Sequence, residues 1–344
     1  MNFESLKKYA KKEGLPGYRV SQMRQAVFSA AVSSWLDVSS LPEDMRLKLE
    51  EEQPILSFSA ESVLRSRSGN CFKALVKLRD GLKVETVLLS PMKNRWTVCV
   101  STQVGCEVGC AICATGKMRF RRNLSAEEIT DQPLFWQQFL KKEGAGERVG
   151  AVVFMGMGEP LLNYAAVVKA AGDISDPQYL GIGQRHISIS TCGHAGAIMA
   201  LAADLPQANL ALSLHSADEE ERSRLVPMNK KYGLETLARA LEKYISKTGR
   251  QVFIEYAVIP GVNNTPRHMR LLVKWITDID KSYLICVNLI PHNPCGAGAP
   301  DEEAATRFAA ALTGMGMQAT VRKSLGADIK GACGQLFAEQ GEKP

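Results

Sequence analysis

The chain has 344 residues, 45% of them hydrophobic, and a formal net charge of +6, which excludes a disordered or low-complexity polymer and leaves room for one large domain plus a smaller one. No apolar run reaches the length of a membrane span, so a soluble protein is expected. Nine cysteines follow a charged opening, MNFESLKKYAKKEG, that has no apolar signal-peptide core, which points to reduced, cytoplasmic thiols used for chemistry or metal rather than to disulfides.

Apolar positions in YRVSQMRQAVFSAAV recur at helical spacing, and a second short helix is expected after Leu41-Pro42-Glu43, so residues 1–55 read as a small helical accessory domain. Residues 56–92 alternate and carry the turn signals Ser68-Gly69-Asn70 and Asp80-Gly81, the pattern of short antiparallel strands. From 93 to 338 strands and helices alternate, before a tail at 339–344. Candidate strands are TVCVST, AVVFMG, HISIST, ALSLHS, VFIEYAVI, CVNLIP and QATVRKS; helical stretches include SAEEITDQPLFWQQFLKK, LETLARALEKYISKT and PRHMRLLVKWITDI. The fold class is therefore α/β, with a parallel sheet and right-handed crossovers, either a (β/α) barrel of TIM type, partial or full, or a flat doubly wound sheet. Polar residues and glycines gather at the carboxyl ends of the strands, where barrel active sites lie, and this favours the barrel.

Cys106, Cys110 and Cys113 stand in C-x3-C-x2-C spacing within a glycine-punctuated loop. Three thiolates hold three corners of a 4Fe-4S cube and leave one iron open to a chelating ligand such as S-adenosylmethionine. A structural zinc site would need a fourth Cys or His nearby, and no histidine lies between Cys113 and His186. Directly after the third cysteine, Lys117, Arg119, Arg121 and Arg122 surround Phe120, which suits phosphate and base contacts as well as a solvated turn. Gly158 and Glu159 end one strand, Ser190 the next, Ser213, Leu214 and His215 a third, and Asn293 follows another. Each hydroxyl alone reads equally as a helix cap, but successive strand ends with ligand-type residues form a pattern. His215 is expected as a polar contact or a packed histidine, and His186, His194, His268 and His292 have no informative context. Two cysteines stand apart: Cys99, on the strand before the cluster loop, and Cys333, in Gly331-Ala332-Cys333-Gly334, where flanking glycines suit a nucleophile carried to a pocket. Cys71, Cys192, Cys286 and Cys295 read as small core residues.

Taken together, Cys99 before the triple-cysteine loop, then GMGEPL, STCG, SLHS, NLIPHNP and ACGQL in this order, resemble the RlmN/Cfr family of radical S-adenosylmethionine RNA methyltransferases over roughly residues 18–338. The resemblance implies a radical SAM core with an RNA-binding N-terminal domain, one 4Fe-4S cluster per chain on Cys106, Cys110 and Cys113, and two S-adenosylmethionine molecules per turnover. It implies that Cys333 is methylated first, that a 5′-deoxyadenosyl radical activates this methyl group for addition to adenine, and that Cys99 attacks the Cys333 sulfur to release the product, leaving a disulfide. Glu85 matches the family's proton acceptor, and Gly158, Glu159, Ser190, Ser213, Leu214, His215 and Asn293 match its S-adenosylmethionine contacts. The implied substrate is an adenosine in 23S rRNA, with tRNA as a second, and the implied reductant is an external flavodoxin or ferredoxin acting on a monomer. GMGEPLLN and NLIPHNP resemble the members that methylate carbon 2, whereas SDPQYLGIGQRHISIST and the compact N-terminus resemble Cfr-like members that methylate carbon 8 and confer antibiotic resistance. Carbon 2 is the favoured expectation.

Overall fold

Three helices open the chain: α1 (Phe3–Lys12), α2 (Gly17–Arg24) and α3 (Glu43–Glu52). The computed structural model describes residues 3–93, 95–144, 148–293 and 301–340. The helices close over Trp35, which is fully buried with Leu6, Met23, Val27 and Leu49. Its indole N–H donates to the Gln53 carbonyl at 2.6 Å and its backbone N–H to the Glu50 carboxylate at 2.7 Å, so both buried donors are satisfied. The apolar spacing over 18–32 predicts a continuous helix, whereas α2 ends at Arg24 and Gln25–Ser29 form a wider π turn. The carbonyls of Ala30 and Val32, beyond this end, would be orphaned. They accept instead from Lys141 Nζ at 2.6 Å and Gln138 Nε2 at 2.7 Å, which docks the module on the main domain.

Strands β1 (Phe58–Arg65), β2 (Cys71–Leu78), β3 (Lys83–Met92) and β4 (Arg95–Cys99) form an antiparallel meander. A small hairpin, β5 (Gln103–Val104) with β6 (Arg122–Asn123), leads into α4 (Ala126–Lys142). Five strand–helix units follow: β7 (Val149–Phe154) and α5 (Tyr164–Ser175); β8 (Ile187–Thr191) and α6 (Ala195–Asp204); β9 (Asn209–Ser213) with α7 (Glu219–Leu225) and α8 (Leu234–Thr248); β10 (Val252–Val258) and α9 (Pro266–Thr277); β11 (Ile285–Pro291) and α10 (Glu302–Gly314). The short β12 (Ala319–Val321) completes one sheet of order β1-β2-β3-β4-β7-β8-β9-β10-β11-β12.

β4 is the turning point of this sheet. Cys99 pairs antiparallel with Val87 on β3 and parallel with Val153 on β7, and from β4 to β12 all neighbours are parallel. The result is an α/β partial barrel of TIM type with a helical N-terminal module. Its core is made of strand residues with almost no exposure, among them Val98, Val152, Ile189, Leu212, Ile254 and Leu289. A capping box starts α4: the Ser125 hydroxyl accepts from the Glu128 N–H at 3.1 Å, and the Glu128 carboxylate accepts from the Ser125 N–H at 2.8 Å. α4 is tied to the meander because the Trp136 indole donates to the Thr86 hydroxyl at 3.1 Å, which in turn donates to the Cys99 carbonyl at 2.9 Å.

After β12 the chain returns across the barrel mouth as a strap. The Ala114 N–H donates to the Gly334 carbonyl at 2.7 Å, the Thr115 hydroxyl to the Leu336 carbonyl at 2.7 Å, and the Phe337 N–H to the Glu85 carboxylate at 2.9 Å. Gln340 then brackets Lys83, accepting from its N–H at 2.9 Å and donating to its carbonyl at 2.7 Å. Ala332, Leu336 and Ala338 are buried beneath it.

Candidate active site

Strand ends, cluster loop and strap enclose one cavity of about 1110 Å³, counting its open mouth. The loop carrying Cys106, Cys110 and Cys113 is pinched at its base by the β5–β6 hairpin, with Gln103 opposite Asn123 and Val104 opposite Arg122. Within the loop, Gly116 lies so close to Cys110 that a Cβ there would be 2.5 Å from the Cys110 carbonyl oxygen, which explains the glycine between cysteine and basic run. All three cysteines line the cavity. Of the basic residues that follow, Lys117, Arg119 and Arg121 are exposed, while Arg122 is held by Asp80 at 2.6 Å and by both oxygens of Glu128.

At the end of β7, Gly158 adopts φ +96°, and a Cβ there would lie 2.5 Å from Cβ of Gln103. Both oxygens of Glu159 accept backbone N–H groups, one from Leu161 at 3.0 Å and one from Cys192 at 2.8 Å. This fixes the carboxylate at the cavity wall and leaves lone pairs for a ligand's ammonium group. The hydroxyls of Ser190 and Ser213 face each other at 3.2 Å on the cavity wall. Neither caps a helix: His194 caps α6 and Asp218 caps α7, so the capping reading of these two serines is set aside. Leu214 is fully buried, and its N–H donates to the Glu255 carbonyl at 3.0 Å.

His215 has φ +58°, and its Nδ1 accepts from the Ala257 N–H at 3.0 Å. Burial, followed by the charge of Arg222, lowers its pKa to about 3, so it is neutral, with Nε2–H left as a donor. Asn293 donates to the Cys333 carbonyl at 3.2 Å and accepts from the Ser324 hydroxyl at 2.7 Å, tying β11 to the strap.

Cys333 stands in the cavity, enclosed by protein yet open to the cavity space, so it is both exposed by area and poorly hydrated. Burial and then Glu255 raise its pKa to about 11. Cys99 is buried at the end of β4, and burial followed by the nearby Cys333 pushes its thiol up to about 12. Glu85 is not free on a strand surface, as its sequence context alone suggests. It is buried, paired with Lys73 at 2.7 Å and hydrogen-bonded to the strap.

Several wall residues were not legible in sequence. Cys192, read as packing, lines the cavity and presents its backbone to Glu159 and Arg222; His292 also lines it. Glu255 is buried at the cavity floor, where it accepts from Asn288 at 3.0 Å; its other oxygen has no hydrogen-bond partner and lies 3.5 Å from Arg322. Cys71 and Cys286 are buried, and Cys295 lies outside the described residues.

The cysteine loop presents three thiols to one cavity, the donor set of a 4Fe-4S cube with one open iron, and among the described residues no group of His, Cys, Asp or Glu side chains is preformed around a single ion. Backbone N–H groups of Val108 and Gly109 aim at the Cys106 sulfur, although burial dominates and raises this thiol to about 12, so thiolates here require a cationic core.

A sequence model of the Radical SAM superfamily matches residues 100–272. The "Probable dual-specificity RNA methyltransferase RlmN" of Carboxydothermus hydrogenoformans is 38% identical, with 98% of this chain and 97% of that protein covered. The protein of the same name in Desulfitobacterium hafniense is 40% identical, with 98% and 94% covered. This chain belongs to the RlmN family of radical SAM RNA methyltransferases. A crystal structure of a radical SAM methyltransferase from Sphaerobacter thermophilus superposes with a TM-score of 0.91 at 36% identity, covering 98% of both chains. Membership accounts for the three cysteines and the polar strand ends sharing one cavity, since this family uses a 4Fe-4S cluster and S-adenosylmethionine. No helix among the described residues is long and apolar enough to cross a membrane.

Proposed function

We propose that this protein methylates carbon 2 of a specific adenosine in 23S rRNA, with an adenosine in tRNA as a second substrate, consuming two S-adenosylmethionine molecules per turnover. The "dual-specificity" in the relatives' names supports two RNA substrates. The observation that carries the reading is that Cys333, on the strap, lines the same cavity as the three loop cysteines, Glu159 and the facing Ser190 and Ser213, while Cys99 is buried at the end of β4.

Cys106, Cys110 and Cys113 would hold one 4Fe-4S cluster, which supplies the electron for reductive cleavage of S-adenosylmethionine. Gly158, Glu159, Ser190, Ser213, the Leu214 backbone, His215 and Asn293 would bind that molecule, with Glu159 taking its ammonium and Nε2–H of His215 donating to an acceptor on it. Cys333 accepts a methyl group on sulfur from the first S-adenosylmethionine; the 5′-deoxyadenosyl radical from the second would take one hydrogen of that methyl, and the remaining carbon radical would add to the adenine. Glu85 takes the proton lost from the ring carbon, Cys99 attacks the Cys333 sulfur as the carbon–sulfur bond breaks, the freed carbon takes up a proton to become the product's methyl group, and the surplus electron would return to the cluster, leaving a disulfide that needs a thiol reductant. The adenine must leave its stack to reach Cys333. The protein acts as a cytoplasmic monomer with a flavodoxin or ferredoxin as electron donor.

The test is anaerobic turnover of the reconstituted protein on a 23S rRNA fragment, with nucleoside mass spectrometry against 2-methyladenosine and 8-methyladenosine. The 2-methyl product is expected, and the 8-methyl isomer would make the protein Cfr-like. Methyl transfer that survives Cys333→Ala refutes the proposal.

A further inference from the structure

Arg222, on α7, is fully buried. It forms no ion pair among the described residues: one terminal nitrogen donates to Asn229 Oδ1 at 2.5 Å, the other to the Cys192 carbonyl at 2.7 Å, and Nε has no partner. The carboxylate nearest in influence, Glu219, is turned to the Asn229 amide at 3.1 Å and the Leu234 N–H at 3.2 Å. Burial lowers the Arg222 pKa to about 10, which still leaves a full positive charge at neutral pH. An isolated buried charge is costly, by several kcal/mol for each ion even after relaxation. Glu219 offsets part of that cost without touching the guanidinium, which leaves room for a further anion nearby.

The surroundings identify where that anion lies. The Ala111 N–H, between two cysteines of the loop, donates at 3.0 Å to the carbonyl of Leu225, three residues along α7 from Arg222. Cys106 and Cys110 pack against an apolar group that includes Cys192 and Leu225. The guanidinium therefore sits behind the wall on which the cysteine loop rests, and it reaches that wall through the Cys192 carbonyl.

We infer that Arg222 is the built-in counter-charge of the cluster, favouring its reduced state and so easing the one-electron reduction that an external low-potential donor must perform. This rests on the proposed cluster site. Three thiolates on a 4Fe-4S core make a net anion, and reduction adds a further negative charge, so a fixed buried cation stabilises the reduced form more than the oxidised one. Net charge and solvent exclusion are recognised determinants of cluster potential. The apolar wall keeps water from screening the effect. Arg222 does not touch substrate; it is a positioning and tuning residue.

The full-length protein is reconstituted anaerobically as wild type, Arg222→Met, Arg222→Gln and Arg222→Lys. Iron and sulfide are assayed first, and the reduced cluster is then followed by electron paramagnetic resonance in a mediated redox titration without RNA. Both neutral variants are expected to lower the reduced-to-oxidised ratio at a fixed potential by about tenfold or more, equivalent to a midpoint ~59 mV more negative for one electron. Lysine is expected to stay within about threefold of wild type. Gln keeps an N–H for the Cys192 carbonyl, so it carries the comparison if Met does not fold. Unchanged potentials in the neutral variants overturn the inference, and so does a lysine variant shifted as far as glutamine, which would assign the effect to lost hydrogen bonds. Wild-type protein that takes up no iron overturns the cluster site itself and this inference with it; the iron assay separates that failure from the others.

Discussion

Lys73→Met is expected to loosen the strap that carries Cys333. Lys73 and Glu85 are both largely buried and paired at 2.7 Å, while the second Glu85 oxygen accepts from the Phe337 N–H and Lys73 also donates to the Lys330 carbonyl at 3.3 Å. Methionine keeps the packing of the stem but leaves a buried carboxylate with one remaining donor, and breaking such a pair costs about 3–5 kcal/mol. That is a large share of a stability of roughly 5–15 kcal/mol. In Lys73→Met/Glu85→Gln the stranded charge is gone, and the neutral amide still accepts from Phe337, so the double variant should recover at least ~1 kcal/mol relative to the sum of the single changes. Guanidinium unfolding of the four proteins measures the coupling. Trypsin cleavage after Lys330, in the strap, reports local release and should accelerate in Lys73→Met before global unfolding does. A Lys73→Met variant within about 0.5 kcal/mol of wild type, or single costs that simply add, would refute a pinning role for this pair.

Glu255 has its pKa raised, first by burial and against the opposing pull of Arg322 and Asn288. A raised folded pKa gives stability that is fully present below the unfolded value of about 4.3 and is lost as pH climbs through the folded value. Glu255→Gln should therefore gain on wild type in unfolding experiments as pH is raised from acid to neutral, and a pH-independent difference would contradict the shift. His215 has the opposite sense: its pKa of about 3 means that stability falls as pH drops from about 6.5 toward 3, and His215→Gln should flatten this part of the curve. Gly158→Ala forces a Cβ to 2.5 Å from Gln103 at a positive φ. It should cost about 1–3 kcal/mol and displace Glu159, weakening S-adenosylmethionine binding in calorimetry; unchanged affinity would detach Glu159 from the ligand. Naked 23S rRNA should be methylated faster than intact 50S subunits, since the target base must be flipped out to reach Cys333; equal rates would argue against that access requirement.

Local patterns carried the barrel into view because most of the parallel strands are apolar runs closed by glycine or hydroxyl residues, and β11 by His292 and Asn293. The same locality limits what could be read. Glu255 looked like one more strand residue, and it became part of the site only because parallel register sets it beside Ser213 on β9 and Asn288 on β11. Arg222 stands among Glu219, Glu220, Glu221 and Arg224, and its burial follows from α7 folding onto the cysteine loop. Glu85 was found through family resemblance, whereas its ion pair with Lys73 depends on side chains projecting from adjacent strands. The helical pattern over 18–32 was legible, but the π turn within it answers to acceptors needed by α4, far away in sequence.

The strap also imposes an order on biosynthesis. A chain made from its N-terminus completes every strand of the barrel, β12 included, before Cys333 is synthesised. The cysteine loop then has to wait for the Gly334 and Leu336 carbonyls that its Ala114 N–H and Thr115 hydroxyl will meet. A nascent or truncated chain that stops short of the strap contains the sequence of every strand of the parallel sheet and all three loop cysteines, yet lacks the sulfur on which the methyl group would ride.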